Sequence, residues 1–535
     1  MLHNDGQQLA LEKLNSIVDE TIHPDCSATP EALPEEWTQL EVRVRRKTDL
    51  RLCTIAGILA GLNLLDSGIL AAASVTTLPQ DLDLYHGNRQ SVAIFIFTVS
   101  SIVCQLPSTI MVRWVGPRVW LSAITICFGL ITLCTSFVQT WRQLIVVRVL
   151  LGVAMSGIYP GLTYLVSTWY TRREQQLRFA LLQSSEVAVL ATGYIANYGL
   201  NQLHGRAGME GWRWMYLIQG IISCGIGILT YWWMVDFPEN AHKSFRFLTE
   251  VEAKVATQRI QADRGDVILD PFSWRKILVN FADPKLYGLA CMYFLLNLVS
   301  TALNYFLPQI LVSGMGFSAN DSILLSTPPY YYAILPVLLT SFLGDTYHIR
   351  GPLITFNALC LIAGFLMFGL PSSTSVPVRY IGTFLATGAY VSNWAALNAY
   401  MANNVVGQWK RATTAAAVAA SNGLGSIAGS YIVRRQEAPQ YETAVWVSVG
   451  FVFAFHAFEW ETNRAVSHQI THPHDRNRVY VHNRFLYSKL STKERDTAPE
   501  YCRVSIYILV FLLGVIVLRV NKKQEKHVYR RMVCI

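Results

Sequence analysis

The chain has 535 residues, of which 52% are hydrophobic and only 15% are charged, and its mean hydropathy is +0.30. Soluble domains carry about 25% charged residues, so this composition excludes a string of ordinary soluble domains. The net charge of +9 does not indicate nucleic-acid binding, because the Lys and Arg residues lie between apolar blocks and form no single patch.

Long apolar segments in the first half of the chain predict membrane-spanning helices. A helix rises about 1.5 Å per residue, so roughly 20 apolar residues cross the hydrocarbon core of a bilayer. The segments cover about 52–78, 91–112, 119–139, 143–168, 178–200 and 213–236. In the polar segment that follows, Thr249 and Glu252 have the spacing of a capping box and predict a short amphipathic helix.

A second apolar series covers about 285–312, 323–343, 351–371, 378–401 and 412–433, with one further segment near 504–520. We therefore expect an all-α polytopic membrane protein of about 12 transmembrane helices in two six-helix bundles. The expected regions are a cytoplasmic N-terminal tail (1–51), an N-terminal bundle (52–236), a cytoplasmic inter-bundle loop (237–284), a C-terminal bundle (285–450), an anomalous polar insertion (451–503), and a last helix with a basic tail (504–535).

Basic residues set the expected orientation, because cytoplasmic loops are enriched in Lys and Arg. With the N-terminus inside, the cytoplasmic loops hold most of these residues, including the many in 243–285. Arg434 and Arg435 break the pattern, since they would lie outside. The region 451–503 also strains it in either orientation. This region is either an insertion that is absent from the mature protein or a genuine extracytoplasmic loop.

Short motifs occur along residues 49–441, at loop and helix positions that the hydropathy already assigns. They include Arg113-Trp-Val-Gly116-Pro-Arg118, Arg148-Val-Leu-Leu-Gly152, Gly157-Ile-Tyr-Pro160-Gly161, Asp236-Phe237-Pro238-Glu239, Gly316-Phe317-Ser318, Pro328-Pro329-Tyr330, Gly344-Asp345 and Lys410-Arg411-Ala412. In this order they resemble the major facilitator superfamily, and within it the fungal allantoate-permease-like branch of anion:cation symporters. The resemblance implies proton-coupled uptake of an organic anion such as a ureide, vitamin or carboxylate. Two rivals remain open, an exporter of a secondary metabolite and a membrane sensor that binds solute without carrying it.

The loop between the second and third apolar segments, and its counterpart in the second half, are candidates for a conformational latch. Gly116 allows a tight turn, and basic side chains there can pair with carboxylates or helix C-termini. The candidate latch residues are Arg113, Gly116, Arg118, Asp345 and Arg350. The alternative is that they are only turn residues and topology charges.

Three charged residues lie within apolar segments, where a charge costs about 2.5–3.5 kcal/mol or more. Asp66, Arg148 and Glu186 are therefore candidates for binding the substrate charge and the coupled proton. Arg148 could instead extend toward the membrane surface. Asp66 could be a structural carboxylate paired with a neighbouring helix, and Glu186 a tolerated interior residue or part of a helix–helix hydrogen bond.

The second half offers only uncharged polar candidates near the middle of its apolar segments. They are Asn297, Asn304, Tyr305, Asn393, Trp394, Asn398 and Asn422. Their amides and hydroxyls could hydrogen-bond a ligand, and the indole could stack on a ring. The alternative is hydrogen bonding between helices, which Asn commonly supplies in membranes.

No arrangement of nucleophile and base indicates an enzyme, and no cofactor is expected. His472 and His474 near the C-terminus lack the partners and spacing of a metal site. The expected partners are a small organic solute, a proton and the lipid bilayer, without nucleic acid. We expect a monomer in the plasma membrane.

Overall fold

The computed structural model describes residues 35–84, 89–171, 174–238, 241, 247–264, 284–347, 350–369, 376–405, 408–432, 446 and 450. At some helical positions, including Asp345 and Arg350, it describes the backbone alone. The described residues form helices and turns and contain no β-strand. The expected all-α fold is confirmed, whereas the expectations for 1–34, 265–283 and 451–535 concern residues outside the described ranges.

The first half begins with helix α1 (Glu35–Thr48), which continues through a π-helical turn (Asp49–Cys53) into α2 (Thr54–Ala73). The remaining helices of this half are the short α3 (Leu78–Asp81), α4 (Arg89–Val115), α5 (Pro117–Thr135), α6 (Trp141–Met155), α7 (Ile158–Trp169), α8 (Gln175–Asn201) and α9 (Gly211–Trp233). Each predicted apolar segment therefore forms one helix or, in the case of α6 and α7, two consecutive helices.

The connecting helix α10 (Glu250–Arg264) precedes the second half. That half contains α11 (Pro284–Met315), the short α12 (Ala319–Leu325), α13 (Thr327–Tyr347), α14 (Arg350–Gly369), α15 (Val376–Asn404) and α16 (Gln408–Ile432). Within the described ranges, seven helices are long and apolar enough to cross a membrane, and an eighth qualifies if the two parts of α4 are counted as one span. These parts, Arg89–Gln105 and Pro107–Val115, meet at a 47° bend, where proline removes a backbone hydrogen bond.

The helices of the two halves pack in a repeated pattern. In the first half α2 packs on α8 and α4 on α6, while in the second half α11 packs on α16 and α13 on α15. The halves then meet where α8 contacts α13 and α15, where α4 contacts α16, and where α2 contacts α11. Two structural repeats around a shared interface are the architecture of many secondary transporters, which bind their substrates there.

Glycines allow the equivalent helix pairs to approach closely. Gly57 and Gly61 of α2 lie against α8, where Gly57 meets Ser185. In the second half, Gly425 and Gly429 of α16 lie against the backbone of α11. Both pairs have the four-residue spacing that places small residues on one helix face, the arrangement by which membrane helices pack backbone to backbone.

One end of the first half is rich in ion pairs, and we call it the basic end, marked by the α4–α5 loop, Arg178 and α10. Arg178 donates to Asp49 with its Nη2 2.8 Å from Oδ2. Arg45 of α1 lies 3.3 Å from Glu174, to which Arg259 of α10 also donates. The expected polar tail 1–51 is therefore helical from Glu35 onward and docks on the bundle, because its charges find partners of opposite sign.

Candidate functional site

A buried ion pair joins α2 to α6. The start of α6 has a capping box, in which the Gln143 N–H donates to Thr140 Oγ1 at 3.4 Å and Gln143 Oε1 accepts from the Thr140 N–H at 3.3 Å. Further along the helix, Arg148 donates to Asp66 Oδ2 at 2.6 Å and to the Tyr216 hydroxyl at 3.0 Å. Both charged side chains are 2% exposed. Pairing offsets the high cost of burying each charge alone.

This pair brings together two of the three charged residues predicted from the sequence. The interpretation that Arg148 extends toward the membrane surface is wrong, because its guanidinium turns inward to Asp66. The alternative interpretation of Asp66, a carboxylate paired with a neighbouring helix, matches the geometry. However, Asp66 Oδ1 is buried without a hydrogen-bond partner, so the carboxylate keeps an unused acceptor.

The second half of the molecule reaches this pair through Tyr305 on α11. Its buried phenol lies close enough to Asp66, Arg148 and Tyr216 to interact with them electrostatically. Because α2 and α11 pack along the contact between the halves, the ion pair lies beside that contact rather than deep within one bundle.

Asn304, also on α11, is the centre of a tyrosine cluster. Its Oδ1 accepts from the hydroxyls of Tyr330 at 3.1 Å and Tyr390 at 2.7 Å, and its Nδ2 donates to Ser300 at 3.1 Å. Tyr194 of α8 donates to the backbone carbonyl of Asn304 at 3.3 Å. Its ring also stacks on that of Tyr330, with centroids 5.8 Å apart. The cluster therefore links the first half to the second through hydrogen bonds.

A second aromatic cluster surrounds Asn398 of α15. Asn398 Oδ1 accepts from the Tyr293 hydroxyl at 2.7 Å, and its Nδ2 donates to the Tyr159 hydroxyl of α7 at 3.5 Å. The Trp394 ring meets Tyr159 and Tyr293 edge-on, with centroids 6.4 and 5.7 Å apart. Tyr159 is the only member from the first half, so this cluster also crosses between the halves.

Glu186 of α8 lies near this second cluster. The phenols of Tyr159 and Tyr390 are close enough to interact with its carboxylate electrostatically. The Gln183 side chain, one turn earlier, is close enough to interact with the carboxylate, but Oε2 is buried without a hydrogen-bond partner. The side chain as a whole is 7% exposed. Glu186 is therefore separate from the Asp66–Arg148 pair, and the three charged candidates do not form one cluster.

The other predicted amides have different surroundings. Asn297 Oδ1 accepts from Thr301 at 3.2 Å and from Ser426 of α16 at 3.0 Å, which matches the helix–helix interpretation. Oδ1 of Asn393 and Oδ1 of Asn422 are buried without hydrogen-bond partners. These two amides keep unused acceptors, as does Asp66.

Residues 56–430 match the sequence profile of the Major Facilitator Superfamily. The chain belongs to that superfamily. Among its relatives, the MFS-type transporter cnsO of Penicillium expansum is 30% identical over 419 residues, covering 76% of this chain and 80% of the relative. The high-affinity nicotinic acid transporter of Saccharomyces cerevisiae is 27% identical over 452 residues, covering 84% and 81%.

Solved structures of superfamily members have the same fold. The partially occluded inward-open conformation of the xylose transporter XylE from E. coli has a TM-score of 0.60 and 13% identity, covering 77% of this chain and 97% of that one. A bacterial homologue of the lysosomal transporter Spinster has a TM-score of 0.57 and 14% identity, covering 79% and 98%. The relatives and neighbours are transporters, so this superfamily member is a multi-pass membrane transporter and not an enzyme.

In this superfamily member, the α4–α5 loop turns at Gly116, where φ is +94°, a conformation that favours glycine. Arg118 donates to the Tyr231 carbonyl at 2.6 Å, near the end of α9. This contact with the end of a helix is of the kind expected for Arg118, and its role in a latch stays a prediction. Arg113 differs, because it donates to the Tyr164 hydroxyl at 3.0 Å and has no carboxylate partner among the described residues.

The second-half members of the predicted latch, Asp345 and Arg350, have side chains that are not among the described ones. Their backbones end α13 and begin α14, the positions that correspond to the α4–α5 loop. The latch therefore stays a prediction for both halves. The histidine-rich stretch around His472 and His474 also lies outside the described ranges.

Sequence reasoning missed most of the tyrosines that line the contact between the halves. They are Tyr159, Tyr194, Tyr216, Tyr293, Tyr330 and Tyr390. The only available signal was a hydroxyl inside an apolar segment, and that signal is weak because the chain has 25 tyrosines spread along its length. Tertiary packing selects the few that face the interface.

Proposed function

We propose that this protein is a secondary active transporter that takes up a small organic anion together with protons, by alternating access between its two halves. The substrate class is a ureide, vitamin or carboxylate, and the chain belongs to the fungal allantoate-permease-like branch. A fungal relative named as a high-affinity nicotinic acid transporter supports a carboxylate substrate.

The observation that carries this proposal is the Arg148–Asp66 pair beside the contact between the halves. The planar guanidinium of Arg148 matches the geometry of a carboxylate. A substrate anion that binds Arg148 beside Asp66 adds a buried negative charge, and this charge is offset if a nearby carboxylate takes up a proton. Asp66 and Glu186 are the carboxylates positioned to do so, which supports coupling of the anion to a proton.

We also propose how the protein lies in the membrane. The basic end, with α1 and α10, faces the cytoplasm, because Lys and Arg concentrate there. On this basis the tail 1–51 and the loop 237–284 are cytoplasmic, and the bundles 52–236 and 285–450 span the bilayer. The protein acts as a monomer in the plasma membrane.

Uptake into proteoliposomes with an imposed pH gradient tests the proposal, using a panel of labelled carboxylates, ureides and vitamins that includes nicotinate. We expect at least one compound to accumulate and a proton ionophore to prevent this. Arg148→Gln should raise the half-saturating concentration roughly tenfold or more, since a hydrogen bond to a charged group contributes about 1.5–3 kcal/mol. Arg148→Lys, which keeps the charge but not the fork, should recover part of the loss.

Unchanged kinetics in Arg148→Gln would contradict the anion-binding role. Net extrusion of a compound against its gradient would instead identify an exporter. Binding of a compound without flux would identify a sensor. Each of these outcomes rejects the proposed direction or activity.

A further inference from the structure

One buried carboxylate has no cation. Among the described residues, three acidic side chains are buried, those of Asp66, Glu186 and Glu252. Asp66 is paired with Arg148, and Glu252 is paired with Lys47 at 2.7 Å. Glu186 has no ion pair within the described part of the chain, and its Oε2 has no hydrogen-bond partner. A buried carboxylate in this setting is far more stable as the neutral acid than as the anion.

The groups that face Glu186 do not compensate a negative charge. They are the phenols of Tyr159 from α7 and Tyr390 from α15. The charged side chains that the structure describes on the other elements packed against α8 are engaged elsewhere. Asp66 of α2 is paired with Arg148 and Asp49 of the π turn with Arg178, and Asp321 of α12 accepts from Ser318. Arg51 of the π turn, Arg213 of α9 and Arg379 of α15 donate to the backbone carbonyls of Trp233, Ser136 and Gly314. The phenols of Tyr216, Tyr330 and Tyr331 are hydrogen-bonded to Arg148, Asn304 and Thr192. An ionised Glu186 carboxylate therefore has to be stabilised by water.

Glu186 lies at the level of a contact between the halves, so its access to water depends on whether that contact is open. Leu65, next to Asp66, packs against Gly193 of α8. Glu186 precedes Gly193 by seven residues, or about 10 Å along the helix, in the direction of the basic end. At this level the Tyr159 hydroxyl and Asn398 join the two halves. Water reaches the carboxylate most directly if this contact opens.

We propose that Glu186, and not Asp66, carries the coupled proton, and that its protonation state controls opening of the Tyr159–Asn398 contact. This rests on the proposed function and deepens it. The proton binds at Oε2 from water on one side of the membrane, and the neutral acid is compatible with the closed contact. When the contact opens, the proton leaves to water on the other side. Asp66 stays charged as the partner of Arg148.

Infrared difference spectroscopy of the purified full-length protein, titrated with acid and alkali, tests the proton site without any substrate. The wild type should show a buried carboxylic-acid C=O band at low pH that disappears as the pH rises. Glu186→Gln should abolish this change, and Glu186→Asp should retain it at a different pH. Asp66→Asn, which alters the other buried carboxyl described within the membrane helices, and Glu252→Gln, at the basic end, are matched controls that should leave the band intact.

Persistence of the band in Glu186→Gln, or its loss in Asp66→Asn, would overturn the assignment. Transport gives a second readout once a compound from the panel accumulates. Glu186→Gln should then lose accumulation driven by the pH gradient but keep exchange of labelled for unlabelled compound, and that exchange should no longer depend on pH. Failure of the whole panel would reject the proposed function while leaving the infrared result to decide the proton site.

Discussion

Arg148 and Asp66 illustrate how a residue's surroundings decide its role. The sequence places both charges in apolar segments. That position is compatible with either a functional or a structural role. Because the two side chains are buried and hydrogen-bonded to each other, each offsets the desolvation cost of the other. A second hydrogen bond, from Arg148 to the Tyr216 hydroxyl, holds the guanidinium in place.

A double-mutant cycle measures this dependence. Asp66→Asn or Arg148→Gln alone leaves one buried charge unpaired and should lower the free energy of unfolding by about 3–5 kcal/mol. The double variant removes both charges and should lose much less than the sum. Thermal unfolding of the four proteins in the same detergent checks this. Additive losses would show that the two side chains do not depend on each other.

At the scale of elements, α10 confirms the capping box predicted from the sequence. The Glu252 N–H donates to Thr249 Oγ1 at 3.4 Å, and Glu252 Oε2 accepts from the Thr249 N–H at 3.0 Å. The sequence did not reveal that the same carboxylate accepts from Lys47 of α1 at 2.7 Å. One residue thus both begins a helix and joins it to another.

This double role makes the α1–α10 contact sensitive to acid. Burial by itself would raise the pKa of the Glu252 carboxyl, but Lys47 and the Thr249 N–H hold that pKa below its ordinary value. A lowered pKa stabilises the folded state above the ordinary pKa of glutamate, and the contribution is lost as the pH falls through the lowered value. Glu252→Gln should therefore mimic acidification at neutral pH.

Amide hydrogen exchange of residues 35–48 and 250–264 provides the measurement. Exchange in both helices should be faster in Glu252→Gln than in the wild type at neutral pH, and acid should change the variant less than the wild type. Glu250→Gln, on the exposed side of the same helix turn, is the matched control. Equal protection in Glu252→Gln and Glu250→Gln would show that the Lys47 contact contributes nothing.

At the scale of the whole molecule, the halves also meet at the end opposite the basic end. Asn201 of α8 donates to Asn320 of α12 at 2.6 Å, and Ser91 of α4 donates to the Ser430 carbonyl of α16 at 3.0 Å. Alternating access requires contacts of this kind to break when that end opens. Because side-chain hydrogen bonds are individually weak, they can close the end without locking it.

A disulfide across this end should stop transport. The pair Asn201→Cys with Asn320→Cys replaces two side chains that are in hydrogen-bond contact, and oxidation should prevent the end from opening. Uptake of an accumulated compound should fall under oxidation and return on reduction. Each single variant, given the same treatment, controls for the native cysteines. Full uptake by the oxidised, cross-linked protein would exclude opening at this end.

The sequence by itself determined the all-α membrane fold, the order of the helices, the capping box of α10 and the tight turn at Gly116. Each of these depends on local hydrophobicity or on neighbours a few residues apart, which the linear sequence contains. Only the tertiary structure decided which polar residues meet. Asp66 and Arg148 are 82 residues apart and Tyr159 and Asn398 are 239 apart, so their contacts depend on how the helices pack. For the same reason the sequence could place Glu186 in a helix but could not show that it alone, among the described buried acids, lacks a cation.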